Sequence, residues 1–341
     1  MIRADLDWKN LGFGLLPTDV NVLYRFKDGA WGAPEYRESF DLNLPLAATA
    51  LHYGQAIFEG LKAFETVDGR VVIFRPFENA ARMERGAKKL LMEPPPADLF
   101  VEACAEIVRR NRRFVPPADS GAALYLRPFL IGSSAMIGVR PATEYIFSVF
   151  STPVGPYFKG AKQTIRLRVD EEVHRAAPLG VGDVKAAGNY AAGMRAVAAA
   201  QRDGFDNVLY LDARESRYID ETGATNFYGV RQGPNGPVYI TPMSRSILES
   251  VTNASLVVLA KDLGYTVERR PVDVSEVFEF SEAGAVGTGA VIAPVGSIEY
   301  RGKTASYGEA AGPVTRALYQ ELTGIQRGTV ADRHGWLYAV S

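Results

Sequence analysis

Val184-Lys185-Ala186-Ala187-Gly188-Asn189-Tyr190 places a lysine among small residues at the start of a helix-forming run. With nothing bulky beside it, the Lys185 amine can shed part of its hydration, which favours the neutral nucleophile that attacks an aldehyde. The same residue also reads as an exposed lysine at a loop-to-helix junction, the commoner situation for this side chain. Downstream, helical patterns over 189–203, 252–263 and 309–323 are each closed by a glycine, at 204, 264 and 324. They alternate with strand-like runs at 207–212, 225–231 and 238–241, which predicts a mixed α/β or α+β domain. Upstream, Ile165, Leu167 and Val169 alternate as a strand, and before them Pro153, Gly155, Pro156 and Gly160 break regular structure. The stretch 153–163 is therefore read as a loop joining two domains, 1–152 and 164–341.

The N-terminal half is β-rich over 20–75. Pro76 at a first-turn position then leads a stripe of Ala80, Met83, Ala87 and Leu90, and Phe100, Cys104, Ile107 and Val108 form a second stripe. Strands resume at 123–129 and 145–150, with Pro128 predicting an edge or a bulge. A chain of 341 residues, 47% apolar, suffices for two cores. Lys plus Arg (38) nearly cancels Asp plus Glu (39), and no block of like charge points to nucleic acid or a membrane surface. Met1–Asn10 lacks the basic-then-apolar pattern of a secretory leader, and no apolar stretch is long enough to span a bilayer. The single cysteine, Cys104, lies on the second apolar stripe and reads as a buried thiol, and it makes no zinc pattern with His52, His174 and His334. A reducing cytoplasm is the expected location.

Other segments carry candidate chemistry. In IDETGATNF (219–227), Asp220 and Glu221 lead into a turn; a carboxylate there can hold a proton on a pyridine nitrogen, or it can simply be solvated. In SRSILESVTNASL (244–256), Ser250, Thr252 and Asn253 crowd a helix start whose free N–H groups suit a phosphate, or serve only as an N-cap. In AVGTGAVIAPVG (285–296), glycines at 287 and 289 let the backbone approach a ligand beside Thr288, and Ala290–Ala293 continue as a strand. LHYGQAIFEGLKAF (51–64) mixes aromatics, glycines, Glu59 and Lys62 in a way no pure core segment would. Arg82 on the first helix can reach an anion, and Tyr125 and Arg127 of YLRP share one strand face. His174 has no G-x-S-x-G serine beside it, and there is no Walker A lysine.

Together these segments are similar, in order and approximate spacing, to the branched-chain amino acid aminotransferases, enzymes of fold type IV that use pyridoxal phosphate. The likeness runs from Phe13-Gly14 through LHYGQAIFEGLKAF, YLRPFLIG, VGPYF (154–158) and VKAAGNYA to the GTG turn at 287–289. It implies an α/β (α+β) fold of two domains with the cofactor at their interface, and pyridoxal 5′-phosphate joined to Lys185 as a Schiff base. Tyr190 would approach the phenolic oxygen, Glu221 the ring nitrogen, and Arg82, Val251, Thr252 and Thr288 the phosphate. Phe13, Tyr53, Phe58, Tyr125 and the partner subunit's Val139 in a homodimer would wall a pocket for a branched side chain, with Ala290 and Val291 alongside. Arg127, with Tyr53 and Tyr125, would meet the second carboxylate of glutamate. The implied reaction is ping-pong transfer of amino groups between leucine, isoleucine or valine and 2-oxoglutarate, with Lys185 moving the proton. Ala224 and Ala290 stand where many relatives have threonine, and the Cys-x-x-Cys pair of some relatives is absent. Other fold type IV enzymes, the D-amino acid aminotransferases and aminodeoxychorismate lyases, are the nearest alternatives, and a non-catalytic binding protein on the same scaffold is a further one.

Overall fold

A computed structural model describes residues 3–156 and 163–340, so Tyr157 and Phe158 of VGPYF and much of the expected interdomain loop lie outside the described residues. The chain forms two compact units: Met1–Pro156 with Val184–Gly188 and Gly324–Ser341, and Tyr157–Asp183 with Asn189–Thr323.

The first unit contains β1 (Asn21–Lys27), β2 (Ala30–Trp31), β3 (Glu35–Arg37), α1 (Thr49–His52), β4 (Ala56–Phe58), β5 (Leu61–Glu65) and β6 (Val71–Phe74). There follow α2 (Pro76–Lys89), α3 (Ala97–Arg110), β7 (Ala123–Gly132) and β8 (Tyr145–Val154). Its sheet is antiparallel and runs C-terminal strand (Leu337–Ala339), β6, β5, β7, β8, β1, β2, with β3 also on β1 and β4 on β7. Pro76 opens α2, where its missing N–H costs nothing. Ala80, Met83 and Ala87 are buried, as are Phe100, Cys104, Ile107 and Val108 of α3. Phe100 stacks on Phe147 of β8 at 5.7 Å, fixing the helix layer to the sheet. Burial pushes the Cys104 thiol well above its ordinary pKa, so it is an inert core group.

Two features depart from the sequence reading. Gly324–Ser341 packs with this unit, although the sequence assigns all of 164–341 to the second domain, because the C-terminal strand pairs with β6 through Leu337 and Phe74. Pro128 lies in an internal, unbulged strand, paired on one side with Val149. On its other side the neighbouring strand is interrupted between Phe58 and Leu61, and there the Pro128 carbonyl accepts the Glu59 N–H at 2.7 Å. The N–H that proline lacks faces the same interruption, so no ladder bond is lost.

Lys62 of β5 sits opposite Tyr125 and is 8% exposed. Burial, reinforced by Arg327, pushes its ammonium down from 10.5 to about 7. Between those values the unfolded chain binds a proton that the folded chain does not, so this residue makes stability rise with pH from about 7 toward 10. The cost is complete below 7. Lys62→Met should raise the melting temperature at pH 7 by roughly 2–4 °C and flatten its rise between pH 7 and 9; an unchanged pH slope in the variant would contradict this.

The second unit contains β9 (Ile165–Asp170), α4 (Ala187–Arg202), β10 (Asn207–Leu211), β11 (Ile219–Thr222), β12 (Thr225–Gly233) and β13 (Gly236–Pro242). It continues with α5 (Val251–Asp262), β14 (Thr266–Arg270), β15 (Glu282–Gly287), β16 (Val291–Tyr300), β17 (Lys303–Ser306) and α6 (Pro313–Arg327). Strands β11, β10, β9, β16, β15 and β12 pair in succession, and β12 pairs back to β11, which closes a six-stranded circuit. The parallel pairs β9–β10 and β9–β16 make the sheet mixed. Leu167, Leu209, Ile219, Phe227, Ala285, Val295 and Ile298 are buried together and fill its core. Helix α4 seats Ala196 and Ala200 on Val208 and Tyr210 of β10, and α5 packs on β14 and β15. Gly204 and Gly264 follow α4 and α5 at positive φ, as expected for helix stops. Gly324 does not end α6, which runs on to Arg327; a Cβ at 324 would lie 2.5 Å from Val330, so close packing accounts for that glycine. Among the described residues no helix is long and apolar enough to cross a membrane, and no cluster of His, Cys, Asp and Glu could hold a metal.

Candidate active site

In the first unit the antiparallel bridge between Ile57 and Ala186 lays 184–188 along β4, and the Phe58 N–H donates to the Lys185 carbonyl at 3.1 Å. The half-buried Lys185 amine stands 4.7 Å from the centre of the Phe58 ring. Next to Phe58, Glu59 is fully buried and accepts Arg82 Nε and NH2, both at 2.7 Å. Burial alone would raise that carboxyl. The Arg82 charge and hydrogen bonds, the field of Lys185 and the Asn79 amide outweigh it and hold Glu59 below the usual carboxylate range.

Strand β7 contributes a second cluster on the same unit. Arg127 donates to the Tyr125 hydroxyl at 3.1 Å and lies 4.9 Å from the Phe58 ring centre, so the expected shared face of Tyr125 and Arg127 is real. Arg127 Nε is buried with no hydrogen-bond partner. Phe13, 54% exposed, meets Tyr125 edge-on at 5.3 Å. The Tyr125 hydroxyl reaches the interruption between β4 and β5 because residue 60 is glycine, where a Cβ would fall 2.0 Å from it. Gly60→Ala should keep the fold, displace that ring and raise KM for any side chain seated there by about ten-fold; steady-state kinetics decide it, and an unaltered KM would count against Tyr125 as a pocket wall. Tyr53 and Val139 lie on an exposed surface of this unit, where the Tyr53 hydroxyl donates to the Ile137 carbonyl.

In the second unit Glu221 is 4% exposed on β11. Its Oε1 accepts the Leu248 N–H at 2.6 Å and the Asn226 amide at 3.3 Å, and Oε2 lies 3.3 Å from Arg175 Nε. A buried carboxylate so held stays in one orientation. Tyr190 of α4 and Glu221 line one cleft of about 290 Å³ with Arg175, Tyr210 and Ala224. Asn226 also donates to the Leu248 carbonyl, tying Glu221 to the segment that enters α5. There Ser250 accepts the Asn253 N–H at 3.1 Å as N-cap, and Val251 and Thr252 form the first turn. Glu221, Asn226 and Val286 are cross-strand neighbours, and two residues past Val286 the half-buried Thr288 lies in the β15–β16 hairpin. Ala290 belongs to that turn, not to the strand expected from 290, and Val291 takes φ 64, a costly conformation for a β-branched residue. Asp220, buried on β11 beside Glu221, is pushed up by burial and accepts Ser244 at 2.8 Å, so it is a structural acid.

Residues 56–298 match the family model described as Amino-transferase class IV. The chain belongs to that family. Among curated proteins, this class IV aminotransferase is 45% identical to the branched-chain-amino-acid aminotransferase of Haemophilus influenzae, over 98% of this chain and 99% of the relative. The enzyme of the same name from Helicobacter pylori is 44% identical, over 98% of both chains. Among solved structures, the Escherichia coli branched-chain amino acid aminotransferase superposes with a TM-score of 0.80 at 27% identity, over 95% of this chain and 100% of the other. The fold type IV architecture expected from the sequence is thus the one observed.

Sequence reasoning missed the residues that hold the candidates in place. Asn226, Arg175 and the Leu248 N–H fix Glu221, and Glu59, itself held by the Asn79 amide, fixes Arg82. The one signal for them was an acid inside an otherwise apolar and aromatic run, Phe58-Glu59-Gly60.

Proposed function

We propose that this class IV aminotransferase uses pyridoxal 5′-phosphate to exchange amino groups between branched-chain L-amino acids and 2-oxoglutarate. The observation that carries the substrate reading is a relative of that name matched from end to end at 45% identity. The residues present fit the cofactor: a lysine amine against an aromatic ring, a buried arginine, a buried carboxylate held by a backbone N–H, and a capped helix start beside a Thr-Gly hairpin. When bound, the cofactor supplies the electron sink and the carrier for the amino group.

In this reading Lys185 would hold the cofactor through its side-chain amine and, when that amine is free, would serve as the group that moves the substrate Cα proton. Glu221 holds the proton on the ring nitrogen, and Tyr190 donates to the phenolic oxygen. Arg82, the α5 start at Val251 and Thr252, and Thr288 bind the phosphate with one cation and several backbone donors. Phe13, Phe58 and Tyr125 cover an apolar side chain, with Ala290 and Val291 alongside, and Arg127, whose buried Nε lacks a partner, receives the distal carboxylate of glutamate. One pocket serves both substrates in turn, so the kinetics are ping-pong. The domains are assigned as in the sequence reading, apart from the segments that pack with the first unit.

Leu46 (96% exposed), Val139 (86%), Ile137 (78%) and Leu51 (59%) leave an apolar patch uncovered on the first unit. A second copy of the chain covers it in this reading, bringing the partner subunit's Val139 to the pocket that Tyr53 is proposed to wall. Sedimentation should give twice the 37.1 kDa chain mass; a monomer at micromolar concentration would refute the dimer. The functional reading is tested by visible spectra of the protein with cofactor before and after L-leucine, D-alanine or L-glutamate. Bleaching by leucine and glutamate but not D-alanine is expected, and bleaching by D-alanine alone would overturn the assignment.

A further inference from the structure

Glu59 is the most completely buried charge in the first unit's candidate site, at 0% exposure. Its carboxylate takes Arg82 Nε on Oε1 and, on Oε2, Arg82 NH2 at 2.7 Å, the Asn79 amide at 2.7 Å and the Gly60 N–H at 3.2 Å. The backbone leading into it is anchored too, with the Phe58 N–H on the Lys185 carbonyl and the Glu59 N–H on the Pro128 carbonyl. A buried ion pair is a poor way to gain stability, because desolvating both charges offsets most of their attraction and an apolar pair of the same volume does as well. What such a pair does supply is orientation: a planar guanidinium gripped through two nitrogens can face only one way.

We propose that Glu59 is a positioning residue that fixes the Arg82 guanidinium in the single orientation in which it meets the cofactor's phosphate, while its charge balances the two neighbouring cations, Arg82 and Lys185. The proposal rests on the functional reading above. It separates Glu59 from a purely structural acid, because a positioning role acts through the phosphate and a structural role acts on everything bound nearby.

The test compares pyridoxal 5′-phosphate with pyridoxal, which keeps the aldehyde and ring and lacks the phosphate, on the full-length apoprotein. Affinities are read from the absorption change on binding, and inorganic phosphate is titrated as a competitor. Glu59→Gln keeps the shape and removes the charge. It should weaken pyridoxal 5′-phosphate by at least about ten-fold, weaken competition by inorganic phosphate in parallel, and leave pyridoxal within roughly two-fold. Glu59→Asp, which restores the charge one methylene short, should recover part of the loss. If Glu59→Gln does not fold, Asn79→Ala removes one bond from the carboxylate and should give a smaller loss with the same selectivity. Equal losses for both aldehydes, or no loss for either, overturn the proposal. A wild-type apoprotein that binds neither aldehyde overturns the functional reading itself, and this proposal with it.

Discussion

Lys185→Ala should reduce turnover of leucine by roughly 10,000-fold or more and abolish the visible band of covalently attached cofactor. The expectation follows from the proposed reading, in which attachment and proton transfer both fall on one amine, with no second lysine among the described residues of the candidate site to substitute. Lys62 belongs to the same unit but is buried in β5 opposite Tyr125, whereas Lys185 is half-buried over the Phe58 ring. The backbone bond from Phe58 to the Lys185 carbonyl survives the substitution, so the variant should fold and still bind the cofactor non-covalently through its phosphate. Added methylamine should restore a fraction of the rate, because a free amine can move the same proton. Turnover within ten-fold of wild type would end the mechanism.

Glu221→Gln should lower kcat on the order of a hundred-fold or more while the protein keeps its cofactor. An amide of the same shape can still accept the Leu248 N–H, but it cannot hold a proton on a ring nitrogen. It also leaves the buried Arg175 guanidinium, now 3.3 Å from Glu221, facing a neutral group, which should cost about 1–3 kcal/mol of stability. The two effects separate experimentally: half-reaction rates from stopped-flow absorbance report the proton, and denaturant unfolding reports the pair. A variant that is less stable yet turns over at the wild-type rate would make Glu221 a structural acid and remove it from the chemistry.

Much of this site was legible because its parts are short and local. A lysine among small residues, an acid before a Thr-Gly turn and a hydroxyl-rich helix start are all contiguous in sequence, and each is found where the local pattern puts it. The strands and helices were equally readable where one periodicity dominated, as in α2 and α3. Long-range pairing was not readable. Nothing local announces that Pro128 faces a gap between Phe58 and Leu61, that the last strand returns to β6, or that Arg82 is held by an acid 23 residues earlier. Gly324 misled because a stop signal and a packing constraint use the same residue. Tyr53 and Val139 were assigned to the pocket only through the family resemblance, and both lie on exposed surface, where one chain's pattern carries no packing signal.

Burial of Cys104 in α3, at 0% exposure, has a practical consequence. The sole sulfhydryl of the native protein is hidden from alkylating reagents and peroxide, so assays need no reductant. Any labelling at that position therefore clocks the opening of the layer formed by α2, α3 and β8, which gives the molecule an intrinsic gauge of its own breathing.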